Sequence, residues 1–473
     1  MPVNSTHPQY DAARDTWRRN RDAVAGQEAI KAGGELYLPR PNAADASDEN
    51  RARYDRYLER ALWYASPERT KNSLIGAVFR KGPEKQELVP QIEYLAEDAD
   101  GAGVSLEQLA KHVVGEQLEV GRIGILVDYP AAEEGLSEEQ VRRRNLRATL
   151  ALYDTESIIN WRVAKVGGRL VLTLVVLKEL QQTEDDGYAV ETEEVYRVLK
   201  LEDGHYVQRL FNSKEEQIGE DIEPRNAAGQ RWTEIPFVVI GSENNRADVD
   251  RAPLTHLCNH AVAYWQTSAD HRENLYTHGQ LTLGIASDLS VEDWASANPK
   301  GVQVGAPVGI FLGSGGSFHT ASAPESTSLS KALEDLRAEM AELGAQIITK
   351  GGQAQTAEAA RIDASAESSV LSNLVGNASE GLEQALEWAA EFMGGDPTAV
   401  LFTLNQEFFD EALDPQTRTV MLQELDRGLI AKKDYRASLR KADHIDALRS
   451  DEEIDQDVEG QGPALGMMAD GAE

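Results

Sequence analysis

The side chains best suited to chemistry crowd into one stretch. His256, Cys258, His260, His271 and His278 fall in or beside a helical pattern running from Ala252 to Thr277. His256 and His260 are four residues apart, so they share a helix face and could offer two imidazoles to a metal ion. A zinc centre needs a third ligand, and a hydrolytic one often needs a general base at fixed spacing, as in HExxH. Neither is present, and Cys258 sits on another face. Polar residues along an exposed or inter-subunit helix account for the cluster better. Two glycine-bearing segments invite a phosphate reading and both fail it. Gly121 and Gly124 precede the strand-like run Ile125-Leu126-Val127, whereas a dinucleotide fingerprint places its glycines between strand and helix. Gly313-Ser314-Gly315-Gly316-Ser317 lacks the GK[ST] of a P-loop, opens no helix at once and reads as a flexible loop. The acidic loops Glu184-Asp185-Asp186 and Glu215-Glu216 lack the spacing of a calcium loop. No nucleophile–base pair, oxyanion motif or ligand set stands out, although triad members can lie far apart in a chain. The expectation is a protein without catalysis, metal or cofactor. The enzymatic alternative is a cytosolic metal-dependent enzyme using the His256/His260 helix.

Composition narrows the class. A chain of 473 residues with 41% hydrophobic content is too long for one ordinary core, and two to four domains are the prior. Cys258 is the single cysteine, which excludes an intrachain disulfide and points to a reducing compartment. No run approaches the ~18 apolar residues of a membrane span. The opening residues, Met1 to Pro8, lack the basic and apolar regions of a signal peptide. A soluble intracellular protein, or part of a particle assembled inside a cell, is expected. The formal charge of −33 argues against tight DNA binding, which relies on Lys and Arg neutralising phosphates. It does not exclude a protein that surrounds DNA without holding it, because a negative wall repels the backbone and lets it slide. Between Asp443 and Glu473 there are ten acidic residues against Arg449 alone, so a solvated, partly disordered tail is expected there.

The elements that would position any site divide by their patterning. Residues 1–50 are polar and broken by Gly33-Gly34 and Pro39-Arg40-Pro41, which predicts a short helix and then an extended arm; the basic run Trp17 to Arg21 reads as a solvated helix face. Residues 51–80 are helical, with Tyr54, Tyr57, Leu58, Ala61, Leu62 and Ala65 on one face. Leu106 to Glu119 form a helix capped by Ser105, and Gly121 to Pro130 hold a strand. Residues 148–240 alternate strand-like runs with turns, Gly167-Gly168 and Asp203-Gly204 among them, which predicts an antiparallel sheet or sandwich. Leu281 to Ile285 and Pro307 to Leu312 read as strands with a helical turn, Val291 to Ala297, between them. Ala399 to Leu404 is a returning strand. Asp414-Pro415 opens a helical unit with further short helices at 432–442 and 445–449.

The stretch from Ser326 to Gly394 organises the rest. Leu329, Leu333, Leu336, Met340, Leu343 and Ile347 recur at steps of three and four, one apolar stripe that ends at Lys350-Gly351-Gly352. After Gln353-Ala354-Gln355, a second stripe runs from Thr356 through Ile362, Val370, Leu374, Leu382 and Leu386 to Met393. Unbroken, that helix would be roughly 55–60 Å long. Its first half is rich in Ala and Ser, with Gly376 and Asn377 further on. It reads either as a core helix with a tolerated kink or as a kinked spine packing against copies of itself.

This order of elements resembles the portal protein of tailed bacteriophages, from about Tyr54 to Ile454. The segments nearest the family are Leu336 to Ala345, Thr356-Ala357-Glu358-Ala359 and Gly428 to Tyr435. The resemblance implies an α+β, portal-like fold: a mixed α/β wing with an antiparallel sheet, long stem and spine helices, a small clip insertion and a helical C-terminal crown. Mapped here, it gives an N-terminal arm (1–50), the wing (51–251, β-rich from 148), a first stem helix (252–278), the clip (279–325) and a second stem helix (326–350). A tunnel loop (351–355), the long wing helix with its return strand (356–413), the crown (414–460) and an acidic disordered tail (461–473) follow. It further implies a homo-oligomeric ring, a dodecamer, at one capsid vertex, through which double-stranded DNA is packaged and ejected. Lys350, Gly351, Gly352, Gln353 and Gln355 would face DNA without sequence specificity. Asp288, Glu292, Asp293, Trp294 and Lys300 in the clip would meet the large terminase subunit and later the neck and head-completion proteins. Major capsid and scaffold proteins are further implied partners. The implied location is the virion, with assembly in the host cytoplasm, and no membrane is involved. Another virion structural or head-completion protein is the alternative, against which the chain's length speaks.

Overall fold

The computed structural model describes residues 2–129, 147–185, 190–279, 282–299, 301, 311–321, 327–348, 370–408, 415–441, 444–445 and 449–460. They form a mixed α/β chain with antiparallel sheets, and they divide into two units, residues 1–404 and 405–473.

The first unit opens with α1 (Pro8–Ala25) and α2 (Gln27–Gly33). The expected short helix and extended arm is therefore corrected: these residues are helical and pack into the unit. Trp17, Ala23 and Ile30 are buried, Val3 and Tyr10 lie against the cluster of Ile159, Val176, Tyr196 and Val198, and His7 stacks on Trp161 at 4.0 Å. Burying an aromatic or aliphatic side chain contributes about 1.5–3 kcal/mol each, enough to hold a polar segment whose apolar residues are sparse. Helices α3 (Asp48–Arg60) and α4 (Ser66–Val78) follow, with Tyr54 and Tyr57 inward as their spacing predicts. A short strand, β1 (Lys85–Glu87), precedes α5 (Leu106–Val120).

The start of α5 is fixed by a capping box, in which the Ser105 hydroxyl accepts from the Gln108 amide and the Gln108 side chain accepts from the Ser105 amide. Its end is fixed by Gly121, whose φ of 88° is left-handed and whose Cβ, if present, would lie 2.6 Å from the Asp250 carbonyl oxygen. Gly121 is thus a helix terminator, not part of a nucleotide turn. The chain passes directly into β2 (Arg122–Asp128), the middle strand of a three-stranded sheet of order β3-β2-β9.

Here β3 is Thr149–Asp154, and β9, Phe237–Gly241, returns only after the whole second sheet has been made. That second sheet is a five-stranded antiparallel meander: β4 (Ile158–Val166), β5 (Arg169–Asp185), β6 (Val190–Glu202), β7 (His205–Asn212) and β8 (Gln217–Ile222). Both expected two-residue turns are there. Gly167 and Gly168 join β4 to β5, and Asp203 (φ 49°) with Gly204 (φ 80°) joins β6 to β7, the positive φ pair of a hairpin turn.

Helix α6 (Thr255–Gly279) leads into an insertion made of β10 (Thr282–Ala286), α7 (Val291–Ala297) and β11 (Ser317–Ala321). Strands β10 and β11 pair antiparallel, Thr282 opposite Ala321 and Ala286 opposite Ser317. The expected strand over 307–312 lies largely outside the described residues. The glycine-rich loop before Ser317 runs into β11, a strand that the sequence reading did not anticipate. The chain then returns as α8 (Thr327–Ile348), with Leu333, Met340 and Ile347 of the anticipated stripe buried.

Of the long second helix, α9 (Val370–Phe392) is described; residues 356–369 lie outside the described set. The described half is a core helix of its own chain, continuous through Gly376 and Asn377. Leu371, Leu374, Leu382, Ala385 and Leu386 are buried, and a Cβ on Gly381 would meet Ile240 Cγ1 of β9 at 2.4 Å. Asn377 is tolerated in mid-helix because its side chain donates to the Gly241 carbonyl at 3.0 Å, while its own carbonyl accepts from Asn245. The return strand, β12 (Leu401–Thr403), pairs antiparallel with β1.

The second unit contains α10 (Pro415–Asp426), α11 (Lys432–Lys441) and α12 (Asp451–Gly460). Helix α10 begins at Pro415, as expected, and Gly428 (φ 70°) follows its end. Helix α12 falls within the expected helical unit 414–460, although its pattern marks no separate helix and the stretch from Asp443 is expected to be solvated and partly disordered. Acidic residues in its first turn face the helix N-terminus favourably, and the arginines Arg436, Arg440 and Arg449 pair with Asp455, Asp451 and Asp457. Residues 461–473 lie outside the described set.

Candidate functional site

The feature that sets this chain apart is a helical pair with a small sheet at its tip. Helices α6 and α8 pack side by side, and the insertion between their ends folds on its own antiparallel ladder. The pair is locked by Arg337 of α8, which donates to the Tyr264 hydroxyl of α6 at 2.6 Å and lies over the rings of Tyr264 and Tyr64. Between the helices is a cavity of about 280 Å³, lined among others by Leu62, Tyr264, His271, Leu333 and Arg337.

The insertion is tied together by Asn298, which is 8% exposed. Its amide donates to the Trp294 and Phe311 carbonyls, and its oxygen accepts from the Phe311 amide at 2.9 Å. The clip residues named from the sequence take different roles here. Asp288 accepts from the Ser314 hydroxyl and the Gly315 amide, both at 3.0 Å, and these bonds hold its carboxyl below the usual range. It is therefore an internal tie of the glycine-rich loop. Asp293 lies in the first turn of α7, its amide donating to the Ser290 hydroxyl that caps the helix. Glu292 is exposed, and Trp294 is half-buried. Val291 (84% exposed) and Phe311 (59%) add apolar surface to the same insertion. Lys300 and the whole expected tunnel loop, Lys350, Gly351, Gly352, Gln353 and Gln355, lie outside the described residues.

The histidine pair does not converge on a common point. His256 Nε2 accepts from the Arg251 guanidinium, while His260 Nδ1 donates to the His256 carbonyl at 2.9 Å and its Nε2 is 3.6 Å from Glu339. Cys258 is fully buried, and burial pushes its thiol up to about 12, so at neutral pH it is a packed thiol rather than a ligand or nucleophile.

The sequence reading missed a charged cluster beneath α5. Arg21, taken as part of a solvated face, reaches inward. Its two terminal nitrogens each meet a Glu116 oxygen at 2.5 Å, and it also contacts Glu119 at 3.3 Å and Glu156 at 3.0 Å. Lys71 pairs with Glu119 from the other side. Glu116 and Glu119 are each 4% exposed, and burial raises the Glu116 carboxyl, with Arg21 opposing the shift. On the rim, His112 Nε2 lies 3.5 Å from Asp154; that bond raises the imidazole and lowers the carboxyl. His112, Glu116 and Asp154 offer ligand atoms within 4.8 Å of one another, but both Glu116 oxygens are taken by Arg21, whose guanidinium fills the place of a cation. The signal that could have found the cluster is Glu116 and Glu119 standing in the apolar second half of α5, residues 113–120, all of which is buried. The neighbouring Arg122 is wholly buried over Trp161 at 4.2 Å and bonded to Thr155 and the Ala247 carbonyl, and burial lowers it to about 10.

Residues 253–393 match the model of a family described as a domain of unknown function, DUF4055. That span takes in α6, the insertion, α8 and α9. No curated protein matches. Among solved structures the chain is similar to one described as the virion of a native gene transfer agent particle, at 14% identity and a TM-score of 0.40, covering 88% of this chain and 98% of that one. It is also similar to one described as the neck of an empty gene transfer agent particle computed with C6 symmetry, at 13% identity and a TM-score of 0.39, covering 80% of this chain and 90% of that one. No helix among the described residues is long and apolar enough to cross a membrane.

Proposed function

We propose that this chain is a portal-type structural protein of a phage-like virion. Copies of it form a ring at one capsid vertex, and double-stranded DNA passes through the central channel during packaging and ejection. The observation that carries the reading is the helical pair α6–α8 with a separately folded insertion at its tip. A paired-helix rod holds a fixed distance, and a small sheet bonded to itself through β10 and β11 presents its exposed residues away from the main core. In this reading α6 and α8 are the stem, the insertion is the clip and α9 is part of the long wing helix. In the same reading the expected tunnel loop, residues 351–355 with Lys350, which lies outside the described residues, would be the segment nearest the DNA. The clip surface of Glu292, Val291 and Phe311 meets the packaging terminase and then the neck proteins.

The net charge of −33 fits this role, since a channel that transports DNA must not bind its phosphates tightly. The reading gives the chain no chemistry of its own, so motor ATP hydrolysis belongs to a partner. Light scattering on the purified full-length chain tests it. The expected result is a closed oligomer of about twelve times the 51.9 kDa chain mass. A monomer at every salt and protein concentration would overturn the proposal.

A further inference from the structure

Residues 2–7 lie as a strap against β4, an edge strand of the five-stranded meander. Two bonds tie the strap to that strand. The His7 amide donates to the Ile159 carbonyl at 2.8 Å, and the Asn160 side chain donates to the Ser5 carbonyl at 2.9 Å. Val3 of the strap and Tyr10 of the first turn of α1 pack against Ile159, Val176, Tyr196 and Val198. The strap therefore covers apolar surface of the sheet, yet Pro2, Asn4 and Thr6 are exposed. A segment held by so few buried groups opens at a lower free energy than the core beneath it.

His7 joins the strap to the helix, and its contacts suit a neutral ring. The imidazole stacks on Trp161 at 4.0 Å, and its Nδ1 accepts from the Gln9 amide at 3.2 Å, which caps α1. An imidazolium carries a proton on both nitrogens and cannot accept at Nδ1. Its charge would also stand at the positive end of the α1 dipole. It would share the Trp161 indole with Arg122 of β2, a wholly buried guanidinium 4.2 Å from that ring. The charges that favour the cation are Asp11 in α1 and Asp248 in the segment before α6, and these accept from Thr6 and Gln9. Burial first, and Arg122 next, outweigh them and hold the imidazole below its ordinary value.

We propose that His7 is an acid-operated catch, whose protonation releases residues 2–7 from β4 and uncovers the apolar cluster of Ile159, Val176, Tyr196 and Val198. The proton goes to Nδ1, the atom that caps α1, so the cap and the stacked neutral ring are lost in one step. The direction follows from linkage. A docked ring that resists the proton leaves the strap fully held above the free histidine value of about 6.5, and the hold weakens as pH falls through that value. One proton allows at most about a tenfold change per pH unit. The device is independent of the ring reading above.

Amide hydrogen exchange on the full chain, at about pH 7.5 and about pH 5, tests the proposal. Protection is corrected for the intrinsic effect of pH and referred to α5. The amides to follow are those of His7 and Asp11, which donate to Ile159 and to His7. In the wild type their protection is expected to fall roughly threefold or more at the lower pH. In His7→Asn, whose side chain can cap a helix and does not titrate, protection is expected to be the same at both. Unchanged protection in the wild type would overturn the proposal. An equal fall in His7→Asn would overturn it too, because other groups would then drive the release. Exchange at the imidazole C2 position gives the titration of His7 itself. A value below about 6.5 is expected, and one at or above it would overturn the proposal even if the asparagine variant fails to dock.

Discussion

Replacing Arg21 with alanine tests the packing of the first unit at its most sensitive point. The guanidinium is 28% exposed, but the carboxylate it grips most closely, Glu116, has a side chain only 5% exposed. Removing one partner of such a buried pair leaves an uncompensated charge, which costs about 3–5 kcal/mol. The Glu156 contact adds little, because that carboxylate is 39% exposed and solvent screens it to roughly 0.5 kcal/mol. Lys71 still serves Glu119, which limits the damage there. The expected loss is therefore about 3 kcal/mol, read as a fall in the urea midpoint followed by the fluorescence of Trp17, which lies in the same buried layer. The loss should depend on pH. Burial already raises the Glu116 carboxyl, and without Arg21 opposing it the folded value rises further above the unfolded one. A raised carboxyl favours the protonated fold, so the penalty is full at neutral pH and fades as pH falls through the raised value. The double variant R21M/E116M removes the charge together with its partner and should recover most of the loss. A change below about 1 kcal/mol at neutral pH for R21A, or no recovery in the double variant, would refute the reasoning.

Three further outcomes follow from particular contacts. Gly381→Val places a side chain where a Cβ alone would lie 2.4 Å from Ile240, and should cost about 1–3 kcal/mol by forcing α9 from β9, read by thermal unfolding. Asn298→Ala removes the tie between Trp294 and Phe311, and should raise proteolysis within residues 282–321 by several-fold while leaving α6 and α8 protected in hydrogen exchange. His112→Gln removes an imidazole raised by Asp154, so the variant should be less stable than wild type below the unfolded histidine value of about 6.5, with the gap closing as pH rises through the raised folded value.

The parts of this fold that were legible in the sequence are those where local chemistry and burial agree. The steps of three and four from Leu329 to Ile347 match a helix that buries Leu333, Met340 and Ile347, and Ser105 marked the start of α5. Gly167-Gly168 and Asp203-Gly204 marked hairpins because those turns require positive φ. The N-terminal helices were misread because Gly33-Gly34 and Pro39 looked like breaks in an arm, while the anchors Trp17 and Ile30 gain their weight from partners far along the chain. Helix α12 was not singled out within the expected C-terminal helical unit because its acidic composition suggests a solvated segment, and the Arg436, Arg440 and Arg449 partners that offset it are not visible in a local window. Of the candidate site, Asp288 was picked out for an expected contact surface, but its role as a tie to Ser314 and Gly315 depends on a fold-back across the insertion.

Electron cryomicroscopy of the purified full-length chain tests the central claim most directly. The account requires a ring with an axial channel, α6 and α8 along the wall of its narrow part, and the expected tunnel loop, residues 350–355, projecting into the channel. Isolated subunits, or a ring in which the α6–α8 pair and its insertion lie on the outer circumference away from the axis, would contradict it.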